Sequence, residues 1–138
     1  MIVLDTNVIS ELTRPVSDSH VVDWFGRQDT ADLATTTINE AEILAGLALL
    51  PMGKRKDGLI YATTTMLDVL GYGVFSFDRN AAQLYPLIVL QRRAMGLKTE
   101  VADGQIAAIA RSHRAAIATR NIKDFTHCNI DIINPWTD

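Results

Sequence analysis

Asp5 stands directly after the apolar run Met1–Leu4 and is followed at once by Thr6 and Asn7. Glu42, Asp103 and Asp124 stand in three distant stretches of the same chain. Carboxylates gathered at one place repel one another unless positive charge sits between them. Hard oxygen donors of this kind suit Mg²⁺ or Mn²⁺, which keep several waters and share phosphate oxygens with a substrate. Each acid also has a purely structural reading, as a helix cap or a partner of the helix dipole. Glu40 competes with Glu42 at the same helix start. Ile43 and Gly46 beside Glu42 point it inward and leave Glu40 to solvent. Gly46 shares the helix face of Glu42 and would let another segment approach that carboxylate closely.

The elements that must position these acids follow from local pattern. Strands are predicted at Met1–Leu4, Leu33–Thr37, Val74–Phe77, Ala115–Ala118 and Ile130–Ile133. Helices are predicted at Thr6–Leu12, from a Ser17 cap through Gln28, from an Asn39 cap through Leu50, and over Lys56–Leu70. Further helices follow Asp78, over Arg79–Met95 with Pro86 inside and Gly96 at the end, and run from Thr99 through His113. Asn121–Phe125 reads as a turn. Short apolar strands alternating with helices define an α/β layer fold with a mainly parallel central sheet flanked by helices. In such sheets the ligand crevice lies beyond the carboxyl ends of the strands, where Asp5 and the Asn121–Asp124 turn fall.

Composition bounds the rest. At 138 residues the chain is read as one domain, 1–138. Its 48% hydrophobic and 21% charged residues exclude disorder as the main state. A single cysteine, Cys128, excludes an internal disulfide framework and a cysteine zinc site. No secretory signal and no membrane-length apolar run is visible, so the reading is a cytoplasmic protein with no membrane partner. The net charge of −3 argues against broad nucleic-acid grip, leaving local basic patches around an acidic site.

Four segments together resemble the PIN domain, and specifically the VapC-type toxins of its FitB-like branch. They are Met1-Ile-Val-Leu-Asp5-Thr-Asn-Val-Ile-Ser10, Glu42-Ile-Leu-Ala-Gly46, Ala102-Asp103-Gly-Gln-Ile-Ala-Ala108 and Ala118-Thr-Arg-Asn-Ile-Lys-Asp-Phe125, with Asn134-Pro-Trp136 at the tail. They span the chain in family order. The resemblance implies a PIN-like fold and a Mg²⁺-dependent endoribonuclease toxin (Mn²⁺ being the alternative ion). It also implies a homodimer restrained by a cognate VapB-like antitoxin. Carried over by position, Asp5, Glu42 and Asp103 match the family's first three acids. Some relatives place the fourth where this chain has Asn121, others at Asp124; the charge favours Asp124.

Under that resemblance Asp5 and Asp103 hold the metal, with Glu42 and Asp124 helping directly or through water. Bound metal lowers the pKa of a water and neutralises phosphate charge. Thr6, Asn7, Thr119 and Asn121 are then polar groups that orient carboxylates and water, local capping being their competing role. Arg120 and Lys123 flank the fourth segment and are the candidate RNA phosphate contacts. Lys54-Arg55-Lys56 reads as a solvated helix start, Arg92-Arg93 and Arg111/Arg114 as helix surface, and Cys128 as a bystander. Trp24, Phe25, Phe75 and Phe77 read as core. Rival readings are a binding module that has lost activity, supported by Asn121 alone, and a PIN nuclease acting on DNA. A haloacid-dehalogenase-like phosphatase needs a second acid where Asn7 stands, and a receiver domain needs a lysine that Thr119-Arg120 does not supply.

Overall fold

The computed structural model describes residues 1–138. Five short strands form one parallel sheet: β1 (Ile2–Leu4), β2 (Leu33–Thr36), β3 (Gly73–Phe75), β4 (Ala116–Ala118) and β5 (Ile132–Ile133), in the spatial order β3-β2-β1-β4-β5. Every neighbouring pair is parallel. Parallel neighbours require crossovers, and crossovers place helices on the faces. Here α1 (Thr6–Thr13) and α2 (Ser19–Gly26) join β1 to β2, and α3 (Thr37–Ala48) and α4 (Lys54–Val69) join β2 to β3. α5 (Arg79–Ala94) and α6 (Val101–Ser112) join β3 to β4, and a 3-10 turn at Ile122–Asp124 lies between β4 and β5.

The sheet is buried on both faces because successive strand residues point to opposite sides. Leu4, Leu33 and Ala118 pack with Val8, Ile9, Val21 and Trp24. Ile117 packs on the other side with Ile88, Ile106, Ile109 and Phe125. Each such large side chain contributes about 1.5–3 kcal/mol by leaving water. β1 is the central strand, and Val3 and Leu4 have no exposed surface.

Four helix starts differ from the sequence reading, α4 opening at Lys54 rather than Lys56. Asp18, not Ser17, caps α2 by accepting from the His20 N–H at 2.8 Å. Thr36, not Asn39, caps α3. β2 runs into α3 with no loop, so its last extended residue becomes the cap and its Oγ1 accepts the Asn39 N–H. α6 opens at Val101 rather than Thr99, whose hydroxyl accepts a hydrogen bond from Arg92. Asp78 caps α5 as predicted, and Gly96 follows its end at φ +73°, a conformation that favours glycine. β3 and β5 are shorter than the runs of apolar residues that suggested them. Arg92, expected on a helix surface, is buried. No helix is long and apolar enough to cross a membrane.

Candidate active site

Asp5, Thr36 and Thr119 are the residues that follow or end three adjacent strands, so their side chains meet beyond the carboxyl edge of the sheet. Asp5 caps α1, accepting from the Thr6 N–H at Oδ1 (2.9 Å). Capping accounts for one of its four bonds. Asn39 Nδ2 also reaches Oδ1 (2.9 Å), while Thr119 Oγ1 (2.7 Å) and Asn7 Nδ2 (3.1 Å) donate to Oδ2. Asp5 is 5% exposed. Burial raises its pKa above the ordinary carboxylate value, and the four donors oppose that shift without cancelling it.

The residues around it are cross-linked rather than locally capped. Asn7 also donates to Thr119 Oγ1 at 3.3 Å and accepts the Arg120 N–H at 3.1 Å, tying α1 to the segment after β4. Thr6 Oγ1 accepts from Asn39 at 3.0 Å. Asn39 was not singled out as a site residue. In the sequence Asn39 reads only as the cap of the helix that runs through Leu50. It is fully buried.

Glu42 follows Asn39 by three positions, which puts both on one side of α3. Its pKa is raised, first by burial of the carboxyl against the crevice wall and then by the charge of Asp5. The inward reading of this side chain is corrected in one respect: Glu42 is solvent-exposed at the crevice mouth, and Glu40 is the half-buried one. Of its neighbours, Ile43 packs into the core, while Gly46 lies exposed on the rim of a groove. Gly46 has nothing within 4 Å of where a Cβ would sit, so no segment of this chain uses it for close approach. It lines that groove, of about 260 Å³, with Thr6, Ser10 and Leu47.

Asp103 lies in the first turn of α6. Its pKa is pushed up to about 6 by burial and then by the charges of Asp124, Asp5, Glu42 and Glu100. The four acids singled out in the sequence therefore share one electrostatic environment. Gly104 lets α6 sit this close. A Cβ there would stand 2.7 Å from Tyr85 Cε2 and 2.9 Å from Thr99 Cγ2.

Asp124 ends the 3-10 turn, anchored by the neighbouring buried Phe125. Asn121 is exposed; its backbone N–H donates to Thr119 Oγ1, and its side chain caps nothing. Arg120 and Lys123 are exposed beside the crevice, and the Arg120 guanidinium lies 5.2 Å from the Trp136 ring centre. Of the basic run, Lys56 reaches back to the Ala48 and Leu50 carbonyls at the end of α3. No three acids, histidines or cysteines converge tightly enough to form a closed metal cage. The donors facing the crevice are all oxygen.

Comparison with known proteins agrees with this fold. The PIN domain family model matches residues 2–128. Plasmid stability protein StbB of Pseudomonas syringae pv. tomato is 42% identical over 137 residues, covering 99% of both chains. VapC ribonuclease Y4jK of Sinorhizobium fredii is 40% identical over 99% of this chain and 98% of its own. Toxin FitB of Neisseria gonorrhoeae is 36% identical over the whole of both, and the crystal structure of FitAcB from that organism matches with a TM-score of 0.92 at 35% identity, covering 100% of each chain. The chain belongs to the PIN-domain family.

Proposed function

We propose that this protein is the toxin of a type II toxin–antitoxin pair and cuts RNA endonucleolytically with a divalent cation, Mg²⁺ in the first instance. The observation that carries the reading is the gathering of Asp5, Glu42, Asp103 and Asp124 into one electrostatic environment with no ion pair to a cation of the protein. Two relatives of nearly equal length bear the names ribonuclease and toxin.

Asp5 and Asp103 would hold the cation, with Glu42 and Asp124 contributing directly or through waters. The open arrangement suits an ion that keeps several waters and binds through one or two carboxylates. When bound, the ion supplies an acidified water and offsets charge on the phosphate under attack. Thr119, Asn7 and Asn39 fix the orientation of the Asp5 carboxylate beside the crevice, and one of these hydrogen bonds would give way to a directly bound cation. Arg120 and Lys123 stand where they would meet phosphates beside the cut.

The partners follow from the same surface. An antitoxin would place an Arg or Lys among the carboxylates, where a guanidinium pairs with two oxygens at once. A second copy of the chain would cover apolar side chains left exposed on α4 and α5, among them Tyr61 (75%) and Leu90 (61%). A toxin acting on RNA and restrained by a co-expressed antitoxin would work in the cytoplasm. The test is antitoxin-free protein incubated with total cellular RNA, with and without Mg²⁺, followed by end mapping. Discrete new ends that need Mg²⁺ and vanish in Asp103→Asn are expected. Cleavage that persists in EDTA overturns the reading.

A further inference from the structure

Arg92 lies in the last turn of α5 and is 3% exposed, yet it makes no ion pair. A buried charge without a counter-charge is costly unless every donor is satisfied. The Arg92 donors are spent on two loops. Nε donates to Thr99 Oγ1 at 3.0 Å and Nη2 to the Lys98 carbonyl at 3.0 Å. Nη1 donates to the Thr126 carbonyl at 2.6 Å and, at 3.4 Å each, to the Lys123 carbonyl and Thr126 Oγ1. The Arg92 carbonyl also accepts the Leu97 N–H at 2.9 Å.

The first loop leads into α6 and Asp103; the second carries Asp124. Thr99 couples them further, because its methyl group packs where a Gly104 side chain would begin, next to Asp103. We propose that Arg92 is a positioning residue that clamps these loops together and so sets the separation of Asp103 and Asp124. The proposal rests on the reading of those two acids as part of a cation site. It needs the planar fork of a guanidinium, which reaches both loops at once. A lysine ammonium is a single point of charge and cannot span them.

The experiment measures Mn²⁺ binding to the metal-free full-length protein by calorimetry, at a temperature where circular dichroism shows each variant folded. Arg92→Gln and Arg92→Lys are expected to weaken Mn²⁺ binding by about tenfold or more, the range seen when groups behind a metal site are removed. Thr99→Val removes one of the clamp's bonds and is expected to weaken it by a smaller factor. Val21→Ala, in the core on the other face of the sheet, is expected to lower Tm and leave Mn²⁺ affinity unchanged. Wild-type affinity in the folded Arg92 variants overturns the clamp, as does equal weakening in Val21→Ala. Should the Arg92 variants fail to fold, wild-type affinity in Thr99→Val overturns it. Asp103→Asn separates the two ideas. Unchanged binding there overturns the cation site and the clamp with it. Lost binding there, with wild-type affinity in the clamp variants, overturns the clamp alone.

Discussion

Asn39 donates its side-chain amide to Oδ1 of Asp5 at 2.9 Å, and the two residues are 34 positions apart in sequence and both buried. The same amide reaches Thr6 Oγ1, while its oxygen accepts from Thr36 Oγ1. Asn39 therefore joins α3 to the end of β1 at the centre of the sheet. Asn39→Ala strips a donor from a buried carboxylate, and about 1–3 kcal/mol of stability should be lost. Asn39→Asp should cost more, since it sets a second carboxylate against Asp5. Urea unfolding of both variants checks the order.

Asp5→Asn is expected to fold and to lose cleavage. Both Asp5 oxygens face donors only, so the new NH₂ meets an N–H or O–H whichever way it turns. That mismatch costs about 1–3 kcal/mol, and it is offset by no longer burying a charge that burial already disfavours. Tm should therefore move little while the RNA assay falls to background. Cleavage at the wild-type rate by the folded variant would remove Asp5 from the chemistry.

Asp5, Glu42 and Asp103 all have pKa values raised in the folded chain, Asp103 from 3.8 to about 6. A raised carboxylate contributes stability below its unfolded pKa and loses that contribution as pH rises through its folded pKa. Metal-free protein should thus become less stable between roughly pH 4 and pH 6. Saturating Mg²⁺ should reverse the slope, because the ion binds the ionised folded form. Thermal melts in EDTA and in Mg²⁺ across that window test it; a flat EDTA profile would contradict the clustering.

Gly104→Ala inverts a familiar expectation. Inside a helix the change usually adds up to about 1 kcal/mol of stability. Here the new methyl would stand 2.7 Å from Tyr85 and 2.9 Å from Thr99, so α6 must move away from α5. Lower Tm and reduced cleavage are expected, with partial recovery of both in Gly104→Ala/Thr99→Ser. Differential scanning calorimetry and the RNA assay read the two effects.

Asp124→Asn should reduce cleavage far more than Asn121→Ala. The Asp124 charge is, after burial, the largest influence on Asp103, whereas the Asn121 side chain caps nothing. Rates at matched Mg²⁺ decide between them, and equal rates for Asp124→Asn and wild type would move the fourth role elsewhere.

The sheet and the four acids were legible in the sequence because their signals are local: an apolar run followed by Asp5, strands alternating with helices, an aspartate in the first turn of α6. Asn39 and Arg92 were not. Asparagine near a helix start and arginine in a last helical turn have ordinary local explanations, as cap and surface charge. Their burial is decided by Asp5, Thr6, Lys98 and Thr126, which no periodicity brings into view. The relative exposure of Glu40 and Glu42 escapes the sequence pattern for a related reason. Helix phase ranks faces by apolar neighbours, and it cannot tell a core from the lip of a groove.

The central place of β1 has a consequence for the order of events during synthesis. The strand emerges first from the ribosome, yet one of its sheet neighbours, β4, begins at Ala116. Asp5 cannot meet Thr119, 114 residues later, until β4 and the residue after it have been made. Closing so long a loop is a late event for any chain. Prematurely terminated products lack one wall of the acidic crevice, so translation itself withholds the finished site until the last strands arrive.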